Sequence, residues 1–114
     1  MHDDQPDLAV LADLARTIAA RRGADRTSSY TAQLLADGVE RCARKFGEEA
    51  VEVIVAALRT DDAAMAAEGA DLLYHFLVLL EARGVPLDDV LKALRKREGQ
   101  GGLAEKAARN RALD

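Results

Sequence analysis

Residues 48–83 read EEAVEVIVAALRTDDAAMAAEGADLLYHFLVLLEAR, and this stretch decides the fold. Its first half carries Val51, Ile54, Val55 and Leu58 at helical spacing. Its second half is strongly apolar from Leu72 to Leu80. Between them Thr60-Asp61-Asp62 is a turn with capping residues. The spacing predicts one helix from about Val39 to Arg59 and a second from the turn to about Arg83. Helices joined by so tight a turn pack antiparallel. Alanines around the acids (Ala50, Ala56, Ala66, Ala67, Ala70) are small enough for close approach.

The flanking sequence is helical too. Only two prolines occur, Pro6 and Pro86, and no β-branched run alternates with polar residues. A first helix is expected from Asp7 to Arg22, with Leu8, Leu11, Ala15 and Ile18 on one face and Gly23 as its stop. Residues 24–29 form a loop in which Ser28 or Ser29 caps a short helix through Leu35, and Asp37-Gly38 marks a break. Gly84 ends the long apolar helix, and Val85-Pro86 opens another through Arg97. A glycine-rich linker from Glu98 to Gly102 then leads to a short helical tail, Leu103 to Arg111. The expected architecture is all-α, a four- to five-helix bundle in one domain over residues 1–114 with a basic tail from about residue 98. So many apolar positions in so short a chain imply completion by dimerisation.

Five acids stand out against this background: Glu48, Glu49 and Glu52 on one central helix, Glu68 and Asp71 on the other. Spacings of three or four place each group along one helical face, where like charges repel by a few tenths of a kcal/mol per pair. Running antiparallel, the two helices bring Glu49 and Glu52 opposite Glu68 and Asp71. Acids bordering an apolar run need a partner or a metal. Gathered carboxylates suit a hard cation such as Mg2+, commonly bound together with substrate phosphates. Arg41 and Lys45 share a stripe with Glu48 and Glu52 and can neutralise phosphate charge. The competing explanation is an ion-paired solvent face, since Arg44–Glu48 and Lys45–Glu49 are four apart. Gly47 and Gly69, beside the acids, each cost about 1 kcal/mol against alanine in a helix. Either close approach of a ligand or helix, or a local kink, accounts for them. His75, one turn beyond Asp71, is open to a supporting role behind the ligands, a phosphate contact or a core position. Tyr30 and Tyr74 can meet a base or ribose, or simply pack half-buried.

Bulk properties narrow the classes. A net charge of −4 and a pI near 5.2 argue against a general nucleic-acid binder. Residues 92–114 hold seven Lys/Arg against three acids, so the tail is either a basic wall for an anionic substrate or a solvated charged end. Cys42 is the only cysteine, which rules out an intrachain disulfide and suits a reducing compartment, with Cys42 itself a small core residue. No apolar run approaches the roughly 18–20 residues of a membrane span, and the start Met-His-Asp-Asp-Gln is acidic where a signal peptide would be basic. A cytoplasmic protein is expected, with no nucleic-acid or membrane partner.

Glu48-Glu49-Ala50-Val51-Glu52, followed sixteen positions later by Glu68-Gly69-Ala70-Asp71, resembles the EExxE…ExxD signature of the MazG-like all-α nucleotide pyrophosphatases. The flanks are more specific. SSYTAQLLADG (28–38), RKFGEEAVEVIVAAL (44–58) and EGADLLYHFLVLLEARGVPLDDVLKAL (68–94) closely resemble the phosphoribosyl-ATP pyrophosphatase family of histidine biosynthesis. The tail GGLAEKAARN (101–110) is similar to an ending found in some bacterial members. Two departures are Phe46, where a smaller aliphatic residue is usual, and Gly69, often alanine; neither removes a charged motif position.

The resemblance implies hydrolysis of 1-(5-phosphoribosyl)-ATP, an ATP-derived nucleotide, to 1-(5-phosphoribosyl)-AMP and pyrophosphate, by a stand-alone homodimeric enzyme. It implies Glu49, Glu52, Glu68 and Asp71 as ligands of Mg2+. Glu48 becomes the group that orients water or holds a further ion, and Lys45 and Arg41 become phosphate contacts. No Ser or Cys nucleophile is required, because a metal can activate water. Two alternatives use the same sequence differently: a house-cleaning pyrophosphatase for free nucleotides such as dCTP or dUTP, and a non-catalytic helical interaction module. A ferritin-like iron site is disfavoured, since Glu-x-x-His pairs are missing from these helices.

Overall fold

The structure, a computed structural model, describes residues 5–99, 106–107 and 109–111. Among these, five helices follow in order: α1 (Ala9–Ala20), α2 (Tyr30–Asp37), α3 (Val39–Leu58), α4 (Asp62–Arg83) and α5 (Leu87–Arg97). Residues 106–107 and 109–111 are helical as well, and no strand occurs among the described residues. The all-α expectation holds. Half of the expected linker and helical tail, residues 100–105 and 108, lies outside the described residues.

Local chemistry sets the helix ends. α1 is shorter than the expected Asp7–Arg22. Leu8 offers no side-chain cap, and at the other end Arg21 and Arg22 donate to Ile18 and Ala19 three residues back, so the helix tapers into a tighter turn. Ser29 caps α2 by accepting from the Ala32 N–H at 3.1 Å. Gly38, at φ +97°, is the one residue between α2 and α3. Few other residues tolerate that backbone, which lets the two helices meet without a longer loop. Asp61 caps α4 by accepting from the Ala64 N–H at 3.1 Å.

The core lies where α1, α2 and the start of α3 meet the second half of α4. Ile18, Leu34, Cys42 and Val78 are fully buried there, with Leu35 and Leu77 beside them. The Cys42 thiol donates to the Leu34 carbonyl at 3.2 Å, tying α3 to α2, and burial pushes its pKa up, keeping it a thiol. The remainder of α3 and the first half of α4 extend beyond this core as a two-helix arm. On the arm the expected apolar stripe is not buried within the chain: Val51, Ile54 and Leu58 are exposed, as is Met65 across the turn. Ala56 is the buried apolar position of this part of α3. Contrary to the expectation that no apolar run reaches spanning length, α4 is long and apolar enough by length and composition to cross a membrane. A central helix packed against three others has the same composition, and α4 contacts α1, α2 and α3.

The α3–α4 turn contains a local strain. Thr60 adopts φ +56°, and its hydroxyl donates to the Arg59 carbonyl at 2.6 Å. A β-branched residue in this left-handed region costs about 1–2 kcal/mol. Glycine relieves that strain but adds about 0.4–1 kcal/mol of unfolded-chain entropy. Thr60→Gly should therefore stabilise by about 0.5–1 kcal/mol and raise the melting temperature by about 2–5 °C. A lower melting temperature in calorimetry would show that the threonine contacts outweigh the strain.

Candidate metal centre

The turn sets the register of the arm. Residues at similar distances from Thr60 come near one another, Glu49 with Asp71 and Glu52 with Glu68. Further along, Phe46 packs on Phe76 with ring centroids 5.6 Å apart. At the centre, Glu49, Glu68 and Asp71 each offer a carboxylate oxygen within 4.8 Å of the others. Glu49 and Glu68 are half-buried and Asp71 is exposed. Opposite ligands of an octahedral Mg2+ stand about 4.2 Å apart, so small side-chain rotations close the set. Three oxygen donors and no sulfur or nitrogen favour a hard cation. The residues present fit such an ion.

The electrostatics point the same way. The Glu68 carboxyl is held above the usual carboxylate range, first by partial desolvation and then by the charges of Asp71, Glu49 and Glu52. A proton or a cation relieves this crowding. Glu52 lies outside the triad but near enough to act on Glu68, and the two border a common cavity.

The remaining expected site residues are less concentrated. Glu48 is exposed and pairs with Lys45 at 3.4 Å. Arg41 pairs with Asp37, which also holds Arg26 at 2.8 Å, so this cation braces the α2–α3 junction. His75 is buried at 6% exposure among the rings of Tyr30 and Tyr74, and its Nδ1 has no partner among the described residues. Burial, more than the surrounding charges, lowers its pKa, favouring the neutral imidazole. The Tyr74 hydroxyl bonds with that of Thr31, joining α4 to α2. At Gly47 and Gly69 no neighbouring helix makes the close approach that was one of the expected causes. The helices run unbroken through both, and a Cβ at either would meet nothing within 4 Å.

One residue the sequence reading passed over is Arg59. It lines a cavity with Glu52 and Glu68. Its spacing of seven from Glu52 places both on one face of the α3 stripe and was the available signal.

Crowding has a thermodynamic consequence. Because the folded-state pKa of Glu68 is raised, its favourable contribution is complete below the unfolded value and is lost as pH rises through the folded value. At neutral pH without metal, Glu68→Gln should melt above the wild type. That advantage should vanish on acidification below the ordinary carboxylate range, and magnesium should raise the melting temperature of the wild type only. Equal magnesium responses in the two proteins would remove Glu68 from the ligand set.

Comparison with known proteins identifies the family. The family model described as Phosphoribosyl-ATP pyrophosphohydrolase matches residues 11–98. The phosphoribosyl-ATP pyrophosphatase of Ruegeria pomeroyi is 62% identical over 102 residues, covering 90% of this chain and 97% of the relative. That of Dinoroseobacter shibae is 58% identical over the same share of this chain and 100% of its own. Phosphoribosyl-ATP pyrophosphatase 1 of Bradyrhizobium diazoefficiens is 60% identical over 97 residues, covering 85% of this chain and 92% of the relative. Matched over most of its length by the family model and by relatives of nearly equal extent, this chain belongs to the phosphoribosyl-ATP pyrophosphohydrolase family.

Proposed function

We propose that the protein hydrolyses 1-(5-phosphoribosyl)-ATP to 1-(5-phosphoribosyl)-AMP and pyrophosphate, the second step of L-histidine biosynthesis. The observation that carries this is the convergence of Glu49, Glu68 and Asp71 from two antiparallel helices in a chain of this family. Magnesium is the cofactor, held by these three side chains with Glu52 completing the set from the adjoining wall. Bound there, it would offset phosphate charge and make water acidic enough to be used near neutral pH.

The chain's own residues supply the rest. Glu48, on the exposed edge of α3, orients or deprotonates the attacking water. Lys45, half-buried and already paired with Glu48, meets phosphate oxygens and balances the carboxylates. Arg41 contributes from further along α3, from its pairing with Asp37. His75 sits behind Glu49 and Asp71 and feels the charges of both, so it supports their placement from the buried side of α4.

The working form is a homodimer. Val51, Ile54 and Leu58 on α3 and Met65 and Leu73 on α4 are exposed large apolar residues, and burying the surface they still present to water favours association. One domain carries the activity, and the lone, buried thiol suits the reducing cytoplasm.

Two experiments test this reading. Pyrophosphate release should require magnesium, stop with EDTA, and favour phosphoribosyl-ATP over ATP, dCTP and dUTP. Glu49→Gln should keep its helicity and lose at least about a hundredfold in turnover, roughly 2.7 kcal/mol of barrier. Preference for a free nucleotide overturns the substrate, and wild-type turnover in the variant overturns the ligand. Separately, Ile54→Glu should shift the wild-type dimer towards monomer in sedimentation. An unchanged distribution would place the interface elsewhere.

A further inference from the structure

Between the end of α3 and the start of α4 lies a cavity of about 220 Å³, with Ala56 and Ala64 in its wall and Glu52, Arg59, Asp61 and Glu68 around it. Glu68 belongs both to this cavity and to the carboxylate triad, so the cavity adjoins the metal centre on the side towards the turn. Its volume is below the roughly 300–1,000 Å³ of a pocket for a whole small molecule. It suits part of a substrate.

Arg59 is the cation of this cavity. Three acids border the same space, yet among the described residues no carboxylate stands within ion-pair distance of Arg59. Lys45 and Arg41, by contrast, are held by Glu48 and Asp37. Its backbone is well anchored: the Arg59 N–H donates to Val55 and Ala56, each at 3.2 Å, and the strained Thr60 follows directly. An acid-lined cavity repels a bare polyphosphate and accepts one that carries a divalent cation. In such a complex the carboxylates take the metal, and the surplus negative charge needs a separate donor. A guanidinium meets two phosphate oxygens at once, which a lysine cannot reproduce.

Resting on the function proposed above, we infer that Arg59 holds the terminal diphosphate of the substrate, and afterwards the pyrophosphate product, as its magnesium complex in this cavity. Cleavage between the α and β phosphates leaves both outer phosphates on one fragment. One cavity therefore serves the leaving group before and after the bond breaks.

Calorimetric titration with magnesium pyrophosphate tests this without turnover. Arg59→Gln should bind at least tenfold more weakly than the wild type, and Arg59→Lys should recover part of the loss. The melting-temperature response to magnesium alone should match the wild type in both. Equal affinity of Arg59→Gln and wild type overturns the assignment, and so does a wild type that binds no magnesium pyrophosphate. A parallel loss of the response to magnesium alone also overturns it, by making Arg59 a general support of the arm. If the wild type binds magnesium pyrophosphate through Arg59 but does not hydrolyse phosphoribosyl-ATP, the proposed substrate fails while the role of Arg59 stands.

Discussion

The antiparallel pairing of α3 and α4 about Thr60 is the constraint on which the rest of the molecule depends. With three residues between the helices, the distance of each side chain from the turn dictates what it faces. Glu49 meets Asp71, Glu52 meets Glu68, and Ala56 meets Ala64. The small residues let the helices approach, and the acids then have nowhere to spread. A turn that fixes register thus becomes an electrostatic device, because it converts two ordinary acidic faces into one concentrated negative site.

Such a site opposes folding, and the molecule separates it from what holds the fold together. Ile18, Leu34, Cys42 and Val78 are fully buried at the other end of α3 and α4, clamped by α1 and α2. Gly38 and the Ser29 cap bring α2 onto this core with almost no connecting chain. The acids lie on the arm beyond it, where repulsion at Glu68 is tolerated because the core stabilises the chain independently. A cation that binds only the folded arm then adds stability where the protein itself supplies little.

Much of this was legible in the sequence. Helix periods, the caps at Ser29 and Asp61 and the stops at Gly38 and Gly84 follow from local chemistry that acts within a few residues. The approach of Glu49 to Asp71 was legible because a short turn makes register a matter of counting. What escaped the sequence depends on three-dimensional competition. The stripe Val51, Ile54 and Leu58 has core spacing but faces outward, since periodicity reveals an apolar face and not what covers it. Arg59 was hidden because the cavity it lines is formed by two helices, not by any local motif.

The division between core and arm also implies a gradient of protection along α3 and α4. Backbone amides near Cys42 and Val78 can exchange with solvent only when the whole chain opens. Those nearer Thr60 need only the tip of the hairpin to part, because few buried side chains resist it. Within a single chain, the helices that carry the acids are therefore least held at the end that bears Arg59.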